Sequence, residues 1–553
     1  MLRRSYREDG KVKNETLGNL SHLPDATIEL IRRSLKGERF VPVDEAFEIF
    51  ASRAHGHVQA IHLAMQRLDF AALVGSKPCK ERDRVLAMVA ARVLQPASKL
   101  ATTRWWHTTT VAEVFDVGDS TEDDLYAAMD WLLERQPAIE KKLAARHLEN
   151  GALALYDLSS SYFEGTTCPL AALGYSRDNR RDKLQVNYGL LTDRRGCPVA
   201  ISVHQGNTTD SETFGPIVSQ VRDNFELERI IMVGDRGMIS HRAIEKLRAL
   251  DGVDWISALK SISIKSLLKQ GHLQIDLFDE TNLFELHSPV YPDERLIACR
   301  NLQLGKRRAH KRESLLCATE RNLEKIRSRV QAGRLKGKDA IGVRVGKVIN
   351  QYKVAKHFEL NIGDDSFAFE RNDQKINAEA ALDGLYIVRT SVSKDLMDSG
   401  ECVRNYKSLT QVERAFRSIK SMDLKVRPIH HRLEPRVRAH LLLCMLAYYV
   451  QWHLSEAWRE LTFADTDQAA KAIRDPIAPA ERSPEALRKA SNQTLEDGTQ
   501  AHSTQTLLSE LATIVRNTCR APGDTPDENT FDVDTIPNAK QRSALELIDQ
   551  IQL

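Results

Sequence analysis

Two apolar runs of this sequence each pass directly into an aspartate, and this pattern constrains the fold most strongly. In RIIMVGDRGM (229–238) the aspartate is Asp235, and in LALYDLSSSYFEG (153–165) it is Asp157. A carboxylate that ends a buried strand beside Gly or Ser can face a cleft without full desolvation. Two such carboxylates on neighbouring strands would offer the oxygen ligands that Mg²⁺ or Mn²⁺ prefers. Capping or turn roles for each aspartate are the alternative.

The sequence around both aspartates predicts a mixed sheet covered by helices. Residues 151–257 contain four strand candidates, ALALYDLSS, KLQVNYGLLTD, PVAISVHQG and RIIMVGD, with helix candidates at 212–225 and 240–250. Strands followed by a helix, a strand and a helix are typical of such a sheet. The preceding region begins with a hairpin signal at Asp9-Gly10 and then has apolar residues at three- and four-residue steps, which predicts helices.

The next region is less regular and strongly basic. Residues 258–380 include the strand-like pieces LQIDLFDE, LFELHS and RLIAC. Within them, residues 306–356 hold 16 Lys/Arg and 4 Asp/Glu, a local charge of +12, so the remainder of the chain sums to −9 against a total of +3. This asymmetry indicates a segment that meets a polyanion, and a solvated charged surface is the alternative.

A third acidic residue lies on the predicted helix SLTQVERAFRSIKS (408–421). An apolar stripe on this helix is formed at i, i+4 and i+7 by Val412, Phe416 and Ile419. One residue further on, Glu413, Arg417 and Lys420 repeat the same spacing. Such a polar stripe can present a metal-ligating carboxylate and hold a phosphate beside it. An ordinary exposed Glu–Arg pair is the alternative.

These segments together resemble a known family. YDLSSSYFEG, VGDRGM and the Tyr-x6-Glu-x6-Lys spacing of Tyr406, Glu413 and Lys420 are similar to the three catalytic blocks of DDE transposases of bacterial insertion sequences. The resemblance is to the group with a Tyr-Arg-Glu-Lys signature and a β-rich insertion before the Glu. In this chain the signature Arg is replaced by Leu409, and Lys407 or Arg414 is the candidate to supply its charge.

The resemblance implies an α/β fold in which an RNase H-like mixed sheet core is interrupted by a β-rich insertion and flanked by helical N- and C-terminal regions. The expected segments are 1–150 (mainly helical, DNA-end-binding), 151–257 (first part of the core), 258–380 (β-rich, basic insertion), 381–455 (second part of the core, with the helix of Glu413) and 456–553 (helical C-terminal region).

The resemblance also implies a function and a set of site residues. Asp157, Asp235 and Glu413 would hold two Mg²⁺ or Mn²⁺ ions, because two ions can stabilise both the attacking and the leaving oxygen of a phosphodiester. The residues implied to position the DNA phosphate are Tyr406, Arg417, Lys420 and Arg236.

The implied protein binds the terminal inverted repeats of its element as a homodimer, cleaves the strand and transfers the exposed 3′-hydroxyl to target DNA, in a cut-and-paste manner. It would act in the bacterial cytoplasm at the nucleoid. No membrane partner is expected, and the lack of a GxxxxGK[ST] motif predicts no nucleotide cofactor. A DNA-binding protein without catalysis and a nuclease or resolvase with the same core are the rival functions.

Other conspicuous residues have mainly structural interpretations. The eight cysteines show no CxxC pair and no Cys/His zinc spacing, so they are expected to be reduced thiols. Trp105 and Trp106 fit aromatic packing better than base stacking. LLLCMLAYYV (441–450) is too short for a bilayer span and predicts a buried helix. His430 and His431 lie in a Pro-flanked loop as phosphate or structural contacts.

Overall fold

The computed structural model describes residues 1–38, 40, 42, 46–479, 481–520 and 530–553. The chain forms two compact units. One comprises Met1–His55 and Thr513–Ile536, and the other comprises Gly56–Ala512 and Pro537–Leu553.

The described residues contain both strands and helices in large numbers. The strands are β1 Leu2–Glu8, β2 Lys11–Gly18, β3 Glu48–Ala54, β4 Leu153–Tyr162, β5 Gln185–Asp193, β6 Pro198–Gln205, β7 Ile230–Gly234, β8 Val253–Ala258, β9 Leu283–Leu286, β10 Arg295–Arg300, β11 Phe358–Ile362, β12 Phe367–Arg371, β13 Leu385–Thr390, β14 Val515–Arg520 and β15 Phe531–Asp534. The helices are α1 Asp25–Leu35, α2 Gly56–Arg67, α3 Phe70–Val74, α4 Lys80–Leu94, α5 Lys99–Trp105, α6 Val111–Val114, α7 Glu122–Glu134, α8 Gln136–His147, α9 Asp210–Ser219, α10 His241–Arg248, α11 Ser261–Lys269, α12 Leu302–Gln331, α13 Lys338–Gln351, α14 Asp373–Ala380, α15 Ser399–Lys407, α16 Leu409–Arg417, α17 Glu434–Ala457, α18 Gln468–Ile473, α19 Pro484–Asn492, α20 Thr504–Leu511 and α21 Ala539–Ile548.

The smaller unit is mainly β. Its first two strands form the predicted antiparallel hairpin, and both turn residues, Asp9 and Gly10, have positive φ angles of 51° and 79°. Its second sheet has the order β15-β14-β3. In the C-terminal region, which was expected to be helical, α20 ends at Leu511, and residues from Val515 onward pair with β3, more than 450 positions earlier in the chain. The C-terminal region is thus mixed in structure rather than helical throughout.

The larger unit is built on an eight-stranded mixed sheet of order β6-β5-β4-β7-β8-β13-β10-β9. Its first five strands run third, second, first, fourth and fifth in chain order. The second is antiparallel to the first and third, whereas β4, β7 and β8 are parallel to one another. This arrangement confirms the expected RNase H-like core. All nine residues of β5 are buried, as expected for a strand covered on both faces.

The segment expected to be a β-rich insertion differs from that expectation. Two of its strands, β9 and β10, extend the central sheet through β13, and LQIDLFDE forms a 3₁₀ turn instead of a strand. The remainder is mainly helical and has a hydrophobic core of its own. Its members come from α12, α13 and the β11–β12 hairpin and include Leu316, Leu323, Ile326, Ile341, Val345, Phe358 and Phe367. The sequence concealed α12 because its apolar stripe is narrow within a charged surface.

The apolar run 441–450 forms the middle of α17, and all ten of its residues are buried. This helix packs against α4, α7 and β6 and so joins the N-terminal helices to the sheet. Among the described helices, none has the length and apolar character needed to cross a bilayer. The prediction of a buried helix is confirmed.

Candidate active site

The two strand-borne aspartates lie side by side in the sheet. Strands β4 and β7 are parallel, and their register pairs Leu155 with Val233 and Tyr156 with Gly234. Asp157 follows Tyr156 within β4, which continues to Tyr162, so it does not end its strand as the sequence pattern predicted, whereas Asp235 directly follows the last residue of β7. Neighbouring strands are about 4.8 Å apart, so the register brings the two aspartates to adjacent positions of the sheet.

A tight turn follows Asp235 and leaves its carboxylate exposed. The Asp235 carbonyl accepts hydrogen bonds from the N–H groups of Met238 and Ile239, at 3.0 and 3.1 Å. A Cβ on Gly234 would lie only 3.0 Å from Cγ1 of Ile239, so glycine allows the turn to fold back onto the strand. The glycine that precedes the aspartate thus serves packing.

Glu413 reaches the same edge from α16. This helix buries Val412, Ala415 and Phe416, and the Phe416 ring meets the Tyr188 ring of β5 edge-on, with centroids 5.8 Å apart. The opposite face carries Glu413, which is exposed. The 178 positions between Asp235 and Glu413 are bridged because β13 returns the chain to the sheet immediately before α15 and α16.

The electrostatics of Asp157 show that the three carboxylates act on one another. Burial, together with the negative charges of Asp235 and Glu413, raises the pKa of Asp157 to about 7. The Leu158 N–H, 2.8 Å from Oδ1, and the guanidinium of Arg177 oppose this rise. Ionised Asp157 is therefore disfavoured without a nearby cation.

The donor set fits two hard divalent ions. The three acidic side chains offer carboxylate oxygens, the ligands that Mg²⁺ and Mn²⁺ prefer. Within the described part of the chain, the three residues do not bring one oxygen each within 4.8 Å of one another. Two ions about 4 Å apart do not require the three carboxylates to meet at one point, so a pair of ions is compatible with this arrangement.

Three residues expected to contact the phosphate border this edge. The Tyr406 hydroxyl lies 3.4 Å from Oδ1 of Asp235, and burial together with the charge of Asp235 raises the pKa of Tyr406. Arg236 and Arg417 are both exposed. Their guanidinium groups are thus available to an anion approaching the carboxylates.

Lys420 departs from the predicted polar stripe. The α-helix ends at Arg417, and residues 418–422 form a π-helical turn, which rotates Lys420 inward. Its Nζ lies 2.6 Å from a carboxylate oxygen of Asp178 and 3.2 Å from Oγ of Ser159. Lys420 is therefore not positioned on the exposed stripe with Glu413. The predicted i+7 spacing failed because it assumed an unbroken α-helix.

The two candidates to replace the missing signature Arg differ in availability. Lys407 donates to the Pro476 carbonyl, whereas the exposed Arg414 contacts only the Gln411 side chain, at 3.4 Å, among the described groups. The side chain of Leu409 itself is partly buried. Arg414 is thus the better placed cation.

Sequence reasoning missed three charged residues beside the site. Asp178 is buried and receives hydrogen bonds from Arg427 at 2.5 Å and from the Tyr162 N–H at 3.0 Å. Arg177 pairs with Asp210, at 2.5 Å, and Asp210 lies next to the turn after Asp235. Nothing in the spacing of these residues along the sequence distinguishes buried charges from exposed ones.

The remaining conspicuous aromatic residues are structural. Trp106 is fully buried, as predicted, and Trp255 is buried in β8. His431 packs between the rings of Tyr126 and His440, with centroids 6.1 and 4.8 Å away. Burial lowers the pKa of His431 to about 3, so this imidazole is neutral and unsuited to phosphate binding at neutral pH.

We expect Gly196→Ala to destabilise the protein by about 2 kcal/mol through a clash between the β5–β6 turn and α16. Gly196 has a φ of +88°, and a Cβ there would lie 2.9 Å from Cβ of Gln411. Gly498→Ala is the matched control, because its φ is +81° with nothing within 4 Å. Urea unfolding measures both variants. Equal losses in the two would show that the contact with α16 contributes nothing.

Comparison with known protein families identifies the family of this chain. Residues 163–450, just over half of the chain, match the family model described as Transposase DDE domain. The chain belongs to the DDE transposase family. Asp235, Tyr406 and Glu413 of the transposase lie inside the matched segment, and Asp157 lies six residues before it. DDE transposases act on DNA and generally depend on divalent metal ions.

Two further comparisons concern the N-terminal region and the overall structure. Residues 1–43 match the model of the IS1634 family transposase N-terminal domain. A cryo-EM structure of a piggyBac transposase synaptic complex with hairpin DNA aligns with 82% of this chain and 79% of its own, at 8% identity and a TM-score of 0.36. No curated protein matches the transposase.

Proposed function

We propose that this transposase binds the terminal inverted repeats of its insertion sequence, cleaves the DNA strand and joins the released 3′-hydroxyl to target DNA by a cut-and-paste route. The observation that carries the proposal is the placement of Asp157 and Asp235 at adjacent positions of the parallel strands β4 and β7, with Glu413 close enough to raise the pKa of Asp157. A carboxylate whose pKa is perturbed by burial and by neighbouring charges is typical of catalytic sites.

In this proposal Asp157, Asp235 and Glu413 hold two Mg²⁺ or Mn²⁺ ions. When bound, such ions supply Lewis-acid stabilisation of the attacking and leaving oxygens. The chain itself contributes the orientation of the ligands. The parallel register fixes the two aspartates, and packing of α16 on β4 and β5 sets the position of Glu413.

The scissile phosphate is proposed to lie against the exposed cations around this edge. Arg236 follows Asp235 directly, and Arg414 and Arg417 extend from the helix of Glu413. The Tyr406 hydroxyl, held beside Asp235, can donate a hydrogen bond to a phosphate oxygen. Lys420 is paired with the buried side chain of Asp178 and would support the carboxylate site through this ion pair.

The basic segment is proposed to contact transposon-end DNA. The start of α12, together with α11 and residues 352–357, lines a cavity of about 410 Å³. Two of its cations are paired, Arg312 with Asp383 and Lys356 with Glu379. Arg308 and Lys311 have no carboxylate partner within the described structure and are exposed, so they are free to meet phosphates.

We expect replacement of Arg308 and Lys311 by Gln to weaken binding of terminal-repeat DNA and to reduce the slope of log affinity against log salt by about 2, because each phosphate contact contributes about one unit. The exposed pair Arg488 and Arg542, changed to Gln, gives the same loss of charge on another part of the chain. Fluorescence anisotropy over a salt series measures both. An identical slope change in the control would contradict the proposal that Arg308 and Lys311 contact the DNA.

The segment assignments and the assembly remain part of this proposal. Residues 1–150 would recognise the DNA end, and two copies would act on paired ends in the bacterial cytoplasm at the nucleoid. The central sheet and the helical part of residues 258–380 have separate hydrophobic cores. This supports the assignment of catalysis and of DNA binding to different parts of the chain.

The test is incubation of the full chain with end-labelled DNA flanking its own gene, in Mg²⁺, with a target plasmid present. The proposal predicts cut ends and covalent capture of the labelled 3′-end in the plasmid. Cut ends without capture would indicate a nuclease or resolvase. A retarded complex that is never cut would indicate a binding protein without catalysis.

A further inference from the structure

A second group of metal-ligating side chains lies near the start of strand β4, where Ala154 pairs with Asp193 of β5. The Sγ atom of Cys197 is 3.8 Å from Nε2 of His147 and 3.8 Å from Nε2 of His453. One ligand atom from each of the three residues lies within 4.8 Å of the other two. Cys197 and His453 are buried and His147 is partly buried. Both imidazoles therefore direct a nitrogen at the same sulfur.

The three residues come from segments far apart in the sequence. His147 is the last residue of α8, Cys197 lies in the turn between β5 and β6, and His453 is in the last third of α17. Separations of 50 and 256 positions match no zinc motif of closely spaced ligands. This is why the cysteine pattern of the sequence predicted only reduced thiols.

We propose that His147, Cys197 and His453 bind a Zn²⁺ ion that holds the N-terminal helices to the transposase core. In a tetrahedral site with Zn–S of about 2.3 Å and Zn–N of about 2.05 Å, sulfur and nitrogen ligands lie about 3.5 Å apart. The two observed separations are close to this value. Two imidazoles and one thiolate form a donor set suited to zinc and unsuited to Mg²⁺.

A hydrogen-bonded arrangement and a bound ion are the two possible accounts of these contacts. Without an ion, the Cys197 thiol can donate its proton to Nε2 of His453, and the Tyr449 hydroxyl can donate to Nε2 of His147. A zinc ion would contact all three atoms through their lone pairs. The fourth position is open to water or to the Tyr449 hydroxyl, which lies 3.1 Å from Nε2 of His147.

Metal binding would change the protonation of this site. Burial lowers the pKa of both imidazoles and raises the pKa of the Cys197 thiol, so the thiol is the group that must lose a proton to the incoming ion. As the Zn–S bond forms, the Cys197 proton is released to solvent. The nearby Arg195 is paired with Asp193 at 2.9 Å, and Asp193 also accepts a hydrogen bond from the Cys197 N–H.

The ion would also brace the candidate catalytic helix. The turn that carries Cys197 places Gly196 against Gln411, two residues before Glu413 on α16. The helices α8 and α17 and the β5–β6 turn would all be fixed by the ion. Because the turn contacts α16, the ion would also restrict the movement of α16. The proposal concerns only this structural site, so it stands whether or not the carboxylate site performs transposition.

The test is the metal content of the full chain, purified without chelators or metal-affinity columns. We expect about one zinc per chain in the wild type and a large loss in Cys197→Ser and in His453→Gln. Cys444→Ser is the matched control, since Cys444 is also buried beside a histidine, His440, at 3.9 Å, with no third ligand in the described structure. It should retain the zinc.

Replacement of zinc by Co²⁺ gives a spectroscopic readout independent of activity. A thiolate-to-cobalt charge-transfer band with intense visible bands is expected in the wild type and in Cys444→Ser, and none in Cys197→Ser. Because the variants can misfold, the wild type is also stripped with a chelator and reloaded. Its thermal midpoint should fall and then recover with Zn²⁺ but not with Mg²⁺. A zinc-free wild type that gives no cobalt band, or a midpoint insensitive to zinc, would overturn the proposal.

Discussion

Asp157→Asn is expected to abolish DNA cleavage and, at the same time, to stabilise the metal-free fold above pH 7. Loss of a directly bound ligand should reduce cleavage by more than the about 100-fold typical of an outer-shell change. The stability gain follows from the pKa of Asp157, which is raised in the fold from 3.8 to about 7. The folded chain binds this proton more tightly than the unfolded chain, so stability falls as pH rises from about 4 to about 7.

Asparagine carries no charge and escapes that loss. With allowance for partial exposure of the side chain, the gain at pH 8 is about 2 kcal/mol, and it should vanish at about pH 4. Urea unfolding in a chelator at both pH values measures it, and Asp182→Asn is the control, because the Asp182 side chain is 69% exposed. A variant that cleaves at the wild-type rate, or gains nothing at pH 8, contradicts the assignment.

Asp178→Ala is expected to destabilise the transposase by about 3–5 kcal/mol, the usual cost of removing one partner of a buried ion pair. The Asp178 side chain is 1% exposed and receives both Lys420, at 2.6 Å, and Arg427, at 2.5 Å. Without it, the Lys420 ammonium group is left in a site where only 10% of its side chain is exposed. Urea unfolding measures the loss, and Asp182→Ala should change stability by less than about 0.5 kcal/mol.

This prediction also separates two roles for Lys420. If Lys420 acts through Asp178, then Lys420→Met lowers the free energy of unfolding and leaves the affinity for DNA, measured on the folded fraction, close to that of the wild type. If Lys420 contacts the phosphate, Lys420→Met weakens DNA binding and leaves unfolding unchanged. The second result would restore the interpretation based on the family signature alone.

Local patterns in the sequence predicted the parts of the site that depend on local structure. The apolar runs before Asp157 and Asp235 predicted two strands, and the parallel register of these strands brings the two carboxylates to adjacent positions of the sheet. Glu413 could be placed only through the family resemblance, because no local signal links it to a sheet 178 positions away. The pattern failed at Lys420, where a π-helical turn changed the direction of the side chain.

Long-range pairing explains the other differences. The strands β9 and β10 looked like parts of a separate domain, but they complete the central sheet because β13, from the returning chain, pairs with β10. In the same way, Val515 continues a strand instead of a helix because β3 is available to pair with it. Neither partner can be identified from a window of neighbouring residues.

The central claim is that Asp157, Asp235 and Glu413 bind a shared pair of ions, and the number of bound Mn²⁺ ions tests it most directly. The measurement is electron paramagnetic resonance of free Mn²⁺, with zinc-loaded protein and uncleaved terminal-repeat DNA present. We predict two Mn²⁺ per wild-type chain and at least about tenfold weaker binding in Asp157→Asn, Asp235→Asn and Glu413→Gln. The exposed control Glu245→Gln should bind both ions normally. Wild-type Mn²⁺ binding by Glu413→Gln would contradict the shared site.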